Sequence, residues 1–343
     1  MTTPPHPTDT VDSAKPGPET AGTDAPRPRT AWAGELGTYV GLAVVLIAMV
    51  ALFSSLSQYF LTVETFVTIA NEIPALAVMA VGMTFVLIIA GIDLSVGSVL
   101  ALSAAVTAEA ILNWHVPVPL AALLGLLAGL LCGAVTGSIS VAWRLPSFIV
   151  SLGMLEAVRG AAYLVTDSRT QYVGSAISGL ADPWLGGISA AFVLAVVLVI
   201  VGQLVLTRTV FGRYVVGIGT NEEAMRLAGV NPGPVRIVVF ALTGMLAGLA
   251  GLMQSARLEA ADPNAGVGIE LQVIAAVVIG GTSLMGGRGS VVNTFFGVLI
   301  IAVLGAGLAQ VGASEPSKRI ITGAVIVAAV IIDTLRQRRA AVR

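Results

Sequence analysis

Along most of this chain apolar residues neither alternate nor recur once per helical turn; they fill long runs separated by short polar stretches. A helix needs about 20 such residues to cross the hydrocarbon core of a bilayer. On that rule the runs predict ten spans, at about 38–56, 66–90, 95–112, 118–142, 147–166, 189–207, 237–256, 269–287, 290–310 and 319–335. The turn Gly91-Ile92-Asp93-Leu94-Ser95 joins the second and third. A polar stretch, 167–188, follows the fifth, and the longest charged connection, 208–236, follows the sixth. The expected fold is all-α and polytopic, with about ten transmembrane helices. Three regions are expected: a disordered tail over 1–35, a transmembrane domain over 36–336 and a basic tail over 337–343.

Composition sharpens this reading. Of 343 residues, 56% are hydrophobic and 11% charged, against about 45–50% and about 25% in soluble domains. Eight charges lie in the first 35 residues and only seven in 38–166. Too few remain to cover the surface of a globular enzyme. Seven of the 16 prolines fall within residues 1–33, a segment with too little apolar surface to offset its ordering entropy. It does not read as a secretory signal, because the first apolar run starts only near Thr38. With the N-terminus inside, 13 basic residues face the cytoplasm and five face out. The positive-inside rule therefore places both termini in the cytoplasm, with the plasma membrane as location.

Other counts exclude chemistry. The net charge of −1 gives no electrostatic case for nucleic acid. Cys132 is alone, so neither a disulfide nor a cysteine metal site is available. The histidines, His6 and His115, form no H-E-x-x-H pattern. The two lysines, Lys15 and Lys318, do not follow glycine, so the chain has no Walker A loop. No G-x-S-x-G elbow occurs. No catalytic residue, metal or cofactor is expected in this chain.

Three constellations remain. In 208–236, Asn221 reads as an N-cap, with Glu222 and Glu223 in the favoured first turn, Gly229 as a stop and Pro232 beyond it. Ala224, Leu227 and Ala228 make one apolar face of this short helix. A lone helix of that length must dock, either on its own membrane domain or in a groove of a cytoplasmic partner. The turns GIDLSVGS (91–98) and GGTSLMGGRGS (280–290) resemble each other faintly, as internal repeats of transporters do. Gly91, Gly97, Gly280, Gly281, Gly286 and Gly287 shape them, and Asp93 and Ser95 are candidate caps. Polar residues inside the spans are the third signal: Asn71, Glu72, Glu156, Arg159, Gln254, Glu270, Gln272 and Asn293, with Asp93, are candidates for a hydrated substrate pathway. Gly125, Gly129, Gly133 and Gly137 lie on one helix face, suiting close packing within the subunit or across a dimer.

Four blocks, AVGMTFVLIIAGIDLSVGSVLAL (80–102), LPSFIVSLGMLEAVRGAAYLV (145–165), FGRYVVGIGTNEEAMRLAGV (211–230) and ELQVIAAVVIGGTSLMGGRGS (270–290), occur in order. The chain resembles, over about 36–335, the permease subunits of ribose-type sugar ABC importers. The resemblance implies a subunit that works as a pair, homodimeric or with a paralogue. It also implies a cytoplasmic ABC ATPase that uses ATP and Mg, and an extracytoplasmic binding protein that delivers a sugar-like solute. The coupling helix of such subunits maps onto Asn221, Glu222, Glu223, Ala224, Met225, Arg226 and Gly229. The chain departs from the usual pattern at Thr220, Gln272, Asn293 and 312–320. Competing readings are a branched-chain amino-acid ABC permease, which shares the architecture, and an ion-coupled secondary transporter, for which only Glu72, Asp93 and Glu156 are acidic candidates. An intramembrane enzyme lacks a nucleophile–base set.

Overall fold

The computed structural model describes residues 29–341, with the side chains of 29–39 and much of 326–341 left undescribed. Contacts divide the chain into a short unit, Met1–Gly37, and a main body, Thr38–Arg343. The expectation of a disordered tail falls, for residues 1–28, outside the described residues. Residues 29–35 are the start of a helix, α1 (Arg29–Leu56), which begins ahead of the first predicted span.

In the main body, α2 (Val63–Glu72) and α3 (Pro74–Ile88) are the predicted second span, bent by 49°. Pro74 causes the break: it cannot donate to the ladder, so one helix ends and the next starts with proline in its first turn. Next come α4 (Val96–Leu112), α5 (Val118–Ala142) and α6 (Ser147–Val165). Residues 167–188 hold a 3₁₀ helix (Gly174–Leu180), β1 (Gln171–Tyr172), β2 (Pro183–Leu185) and the start of β3 (Ile188–Ser189), which pairs with β2. Then come α7 (Ala190–Arg208), α8 (Val210–Thr220), α9 (Glu222–Leu227) and α10 (Pro232–Leu258). The last elements are β4 (Ala260–Ala261), antiparallel to β1, and α11 (Ile269–Ile279), α12 (Val291–Gln310) and α13 (Glu315–Ala341).

Among the described residues five helices, α5, α6, α7, α10 and α12, are long and apolar enough to cross a membrane, or six if α2 and α3 count as one span. Val40–Leu56, α4 and α11 are shorter apolar helices. The predicted span 269–287 is corrected: its helix stops at Ile279, where Gly280 and Gly281 turn the chain, Gly281 with φ +84°. The connection 208–236 is also more structured than its charge suggested. It contains α8, whose Gly212, Val215 and Ile218 are buried on one face, and the first turn of α10.

Helix α3 is the centre of the body. Every residue from Pro74 to Ile88 is buried except Phe85, as expected of a helix apolar on all sides. The α5 glycines decide their own question. A Cβ on Gly129 would strike the Gly244 carbonyl oxygen, one on Gly133 that of Phe240, and one on Gly137 the Ile237 backbone, all on α10. Gly125 is closed off by Ser103 and Thr107 of α4. The small-residue face is thus consumed by helix packing within one chain.

Candidate functional site: a docking helix and the polar positions of the spans

Helix α9 is held at both ends by its own sequence. The Asn221 side-chain oxygen accepts from the Ala224 amide at 3.0 Å, satisfying an orphan donor of the first turn. Gly229 adopts φ +82°, and the Gly229 and Val230 amides donate to the Arg226 and Met225 carbonyls at 2.9 and 3.0 Å. That is a glycine-terminated helix end. The side chain of Glu222 accepts from Arg226 at 2.9 Å and from Arg236 on α10 at 2.7 Å. The Met225 sulfur lies beside Gly217 of α8. The remaining face, Ala224, Leu227 and Ala228, does not lie on the membrane domain: all three are exposed, Leu227 at 84%. Glu223 is exposed as well.

The two glycine-rich turns meet at the same end of the bundle. The Gly287 amide donates to the Ile88 carbonyl at 2.8 Å. A Cβ on Gly219, near the end of α8, would collide with that carbonyl and with the Gly287 amide. Gly286 and Gly287, at φ +86° and +75°, pack on Ala90 and Thr220. The first turn is fastened from α6, where the Ser147 and Ser151 hydroxyls accept from the Ile92 and Leu94 amides, each at 3.0 Å.

Ser95 does not cap α4 with its side chain, correcting that expectation. Its φ of −80° and ψ of −11° are already helical, so its hydroxyl cannot reach forward to the next amides. Instead Asp93 accepts from the Ser95 amide at 2.9 Å and from its hydroxyl at 2.6 Å, both on one carboxylate oxygen. The other carboxylate oxygen is buried without a partner among the described residues. Burial pushes the Asp93 carboxyl up from the usual carboxylate range, against the smaller downward pull of the Ser95 bonds. Gly97 abuts the Gly266 carbonyl and the Glu270 carboxylate.

The other polar positions separate into groups. Asn71 clamps α2 to β3: its amide nitrogen donates to the Gly187 carbonyl at 2.9 Å and its oxygen accepts from the Ser189 amide at 2.8 Å. Glu72 pairs with Arg257 of α10 at 3.4 Å. With Gln254 these residues line a hollow of about 30 Å³, room for little more than a water molecule. Arg159 of α6 donates to the Pro263 and Ala265 carbonyls at 2.6 and 2.8 Å. Nearby, the Tyr163 hydroxyl donates to Asn264 at 2.6 Å. Together they hold the 259–268 segment that leads into α11. Glu270 accepts from the Gly268 amide at 3.2 Å. Glu156 and Gln272 are exposed, and the Asn293 side-chain oxygen is buried without a partner among the described residues. The structure thus gathers Asn71, Glu72 and Gln254 in one place and leaves Glu156, Gln272 and Asn293 apart from them.

Ser147, Ser151 and Tyr163 escaped the sequence reading, and so did one glutamine. Gln203 of α7 accepts from the Val291 amide at 2.8 Å, and from the Val292 amide and Ser290 hydroxyl at 3.3 Å each. It closes the N-terminus of α12 from another helix. A glutamine inside an apolar run was its only sequence signal.

Apolar helices packed through glycine, with a small capped helix presented at one end, define a multi-pass membrane protein. Residues 65–330 match the family model described as branched-chain amino acid transport system / permease component, and the chain belongs to this family. It is 38% identical over 300 residues to the ribose import permease protein RbsC of Escherichia coli (strain K12), covering 86% of this chain and 93% of that one. The ribose import permease protein RbsC of Bacillus subtilis (strain 168) is 37% identical over 308 residues, 87% of this chain and 92% of the relative. The fructose import permease protein FrcC of Rhizobium meliloti is 33% identical over 303 residues, 86% and 84% of the two chains. No solved structure is significantly similar. The protein is a multi-pass permease of the cytoplasmic membrane.

Proposed function

We propose that this chain is the membrane-spanning subunit of an ATP-driven importer that carries a sugar or sugar-like solute inward. The observation that carries the solute class is that relatives at 33–38% identity are named as ribose and fructose import permeases. The amino-acid wording of the family description is the broader category, and these relatives place the sugar branch ahead of it. The chain itself performs no chemistry in this reading; ATP and Mg are used by a cytoplasmic ATPase partner.

Helix α9 is the docking element. Its exposed face of Ala224, Leu227 and Ala228 is apolar and rigidly capped, which suits a groove in another protein. Its link through Glu222 and Arg236 joins it to α10, so movement of the partner reaches a long helix of the body. The ten-span topology with both termini inside follows if α1, α4, α11 and α13 also cross or enter the bilayer beside the long helices. Two copies pair around a central path, and a binding protein delivers solute to the outer connections, chiefly 167–188 and 257–268. The ATPase shifts the access equilibrium only by binding the two permease states with different affinity.

The test is uptake of labelled ribose, allose and fructose by cells lacking their own sugar importers. This chain is expressed there together with any ATPase and binding-protein genes that adjoin its own. ATP-dependent accumulation of one sugar is expected. Accumulation of leucine or valine with no sugar uptake would replace the sugar reading with the amino-acid one.

A further inference from the structure

A depression at the α9 end of the bundle has more positive charge than the chain neutralises. One part, about 260 Å³, is lined by Arg144, Arg226, Arg236, Glu222, Ser140 and Leu145. A second part, about 470 Å³, shares Val141, Arg144, Arg226 and Gly233 with it. The first part alone approaches the roughly 300–1,000 Å³ typical of small-ligand sites. Three guanidinium groups face one carboxylate. Both oxygens of Glu222 are already used, one by Arg226 and one by Arg236. The Arg236 Nε–H is buried and has no acceptor among the described residues. Arg144 makes no ion pair or side-chain hydrogen bond among the described residues. An anion would balance this excess of positive charge, and guanidinium forks match phosphate oxygens.

The setting identifies the anion's source. Arg144 lies just past the end of α5, where the Leu145 amide donates to the Ser140 carbonyl at 3.0 Å and the Ser140 hydroxyl donates to the Leu145 carbonyl at 2.9 Å. On either side of it Trp143, Leu145, Phe148 and Ile149 are exposed, the tryptophan at 68%. Exposed tryptophan beside arginine, at the end of an apolar helix, marks the headgroup level of a membrane. Basic hollows between helix ends on the cytoplasmic side suit anionic lipid headgroups. We propose that the Arg144–Arg226–Arg236 depression binds the phosphate headgroup of an anionic phospholipid. A lipid seated there touches both the end of α5 and the α9–α10 corner, and so holds the docking helix in place. The lipid site rests on the proposed cytoplasmic placement of the α9 end and is independent of the transported solute.

The test reconstitutes the full chain into nanodiscs of equal parts phosphatidylcholine and phosphatidylglycerol, then counts lipids retained in mild detergent by native mass spectrometry. Phosphatidylglycerol should be retained over phosphatidylcholine. Arg144→Gln should lower its retention roughly fivefold, in line with one lost surface arginine, while Arg144→Lys keeps most of it. Arg226→Gln supplies a second variant if the first is poorly folded. Equal retention of both lipids by the wild type would overturn the proposal, as would unchanged retention in both glutamine variants. Displacement of phosphatidylglycerol by millimolar inorganic phosphate would reassign the site to free phosphate. Loss of a co-purifying cytoplasmic protein with lipid retention unchanged would reassign it to a protein carboxylate.

Discussion

The backbone amide of Gly287 donates a 2.8 Å hydrogen bond to the carbonyl of Ile88, tying together two turns almost 200 residues apart. Gly287 sits at φ +75°, and a Cβ there would crowd the Thr220 hydroxyl at 2.7 Å. Gly312 has nearly the same φ, +76°, with open space around it. Gly287→Ala should therefore cost more than Gly312→Ala, which carries only the left-handed penalty of about 1–2 kcal/mol. Thermal melting of the two purified variants measures the difference. Solute uptake should fall only for Gly287→Ala, because Thr220 immediately precedes the cap of α9.

Replacing Asn221 by alanine removes the bond to the Ala224 amide. About 1 kcal/mol of local helix stability should be lost. Most of the protein should melt unchanged, while hydrogen exchange speeds up in 222–229. Bulky apolar residues at Glu223 and Gly229 should uncouple ATP hydrolysis from uptake with the protein still in the membrane. Coupled uptake at normal rates in that double variant would remove the docking role from α9.

The α5–α10 contact yields a different expectation. Gly133 is closed by the Phe240 carbonyl and the Ala241 backbone, which cannot rotate away as a side chain would. Gly133→Leu should force the helices apart and destabilise the fold by about 3 kcal/mol or more. Size-exclusion profiles and expression level report this. A well-folded variant that merely dissociates into monomers would mean that the glycine face serves the dimer.

Asp93 carries a pH dependence whose sign follows from its burial. Its carboxyl is raised above the usual range in the folded protein. A folded-state pKa above the unfolded one favours folding at low pH, and that contribution disappears as pH rises through the raised value. Asp93→Asn keeps an oxygen for the two Ser95 donors and removes the buried charge. Its melting temperature should match the wild type in acid and exceed it near neutral pH. A neutral-pH melting temperature below that of the wild type would show a cationic partner for the carboxylate.

Arg159→Met should release the 259–268 segment, since two hydrogen bonds from a charged donor to the Pro263 and Ala265 carbonyls vanish. Each is worth about 1.5–3 kcal/mol. Limited proteolysis should cut this segment faster. Glu72→Gln, removing a half-exposed pair, should change stability by less than about 1 kcal/mol.

What could be read from sequence was local chemistry. Asn221 and Gly229 are recognisable because a cap and a left-handed stop involve residues within one turn of each other. The long apolar runs showed a membrane protein for the same reason. Gln203 was invisible because its partners at 290–292 are nearly 90 residues away. Helix α8 was missed because its buried Gly212, Val215 and Ile218 are few and lie in a charged region. The overlong 269–287 span shows the limit of counting apolar residues: hydropathy continues through Gly280 and Thr282, although the helix does not. Asp93 was placed in the right turn and does accept a backbone amide there, whereas the Ser95 hydroxyl bonds backwards to Asp93, a choice that depends on the dihedrals of Ser95.

Helix α11 has 11 residues, about 16 Å of rise, whereas the hydrocarbon core is about 30 Å thick. By itself it is too short to partition from the translocation machinery as an independent hydrophobic segment during synthesis. Its neighbours α3 and α12 border it, and α12 is made afterwards. A helix this short is expected to settle only against its neighbours, so the contact with α12, made later than α3, should complete its placement. A nascent chain arrested just after Gly281 should leave this segment accessible to water-soluble labels, and one arrested after Gln310 should not.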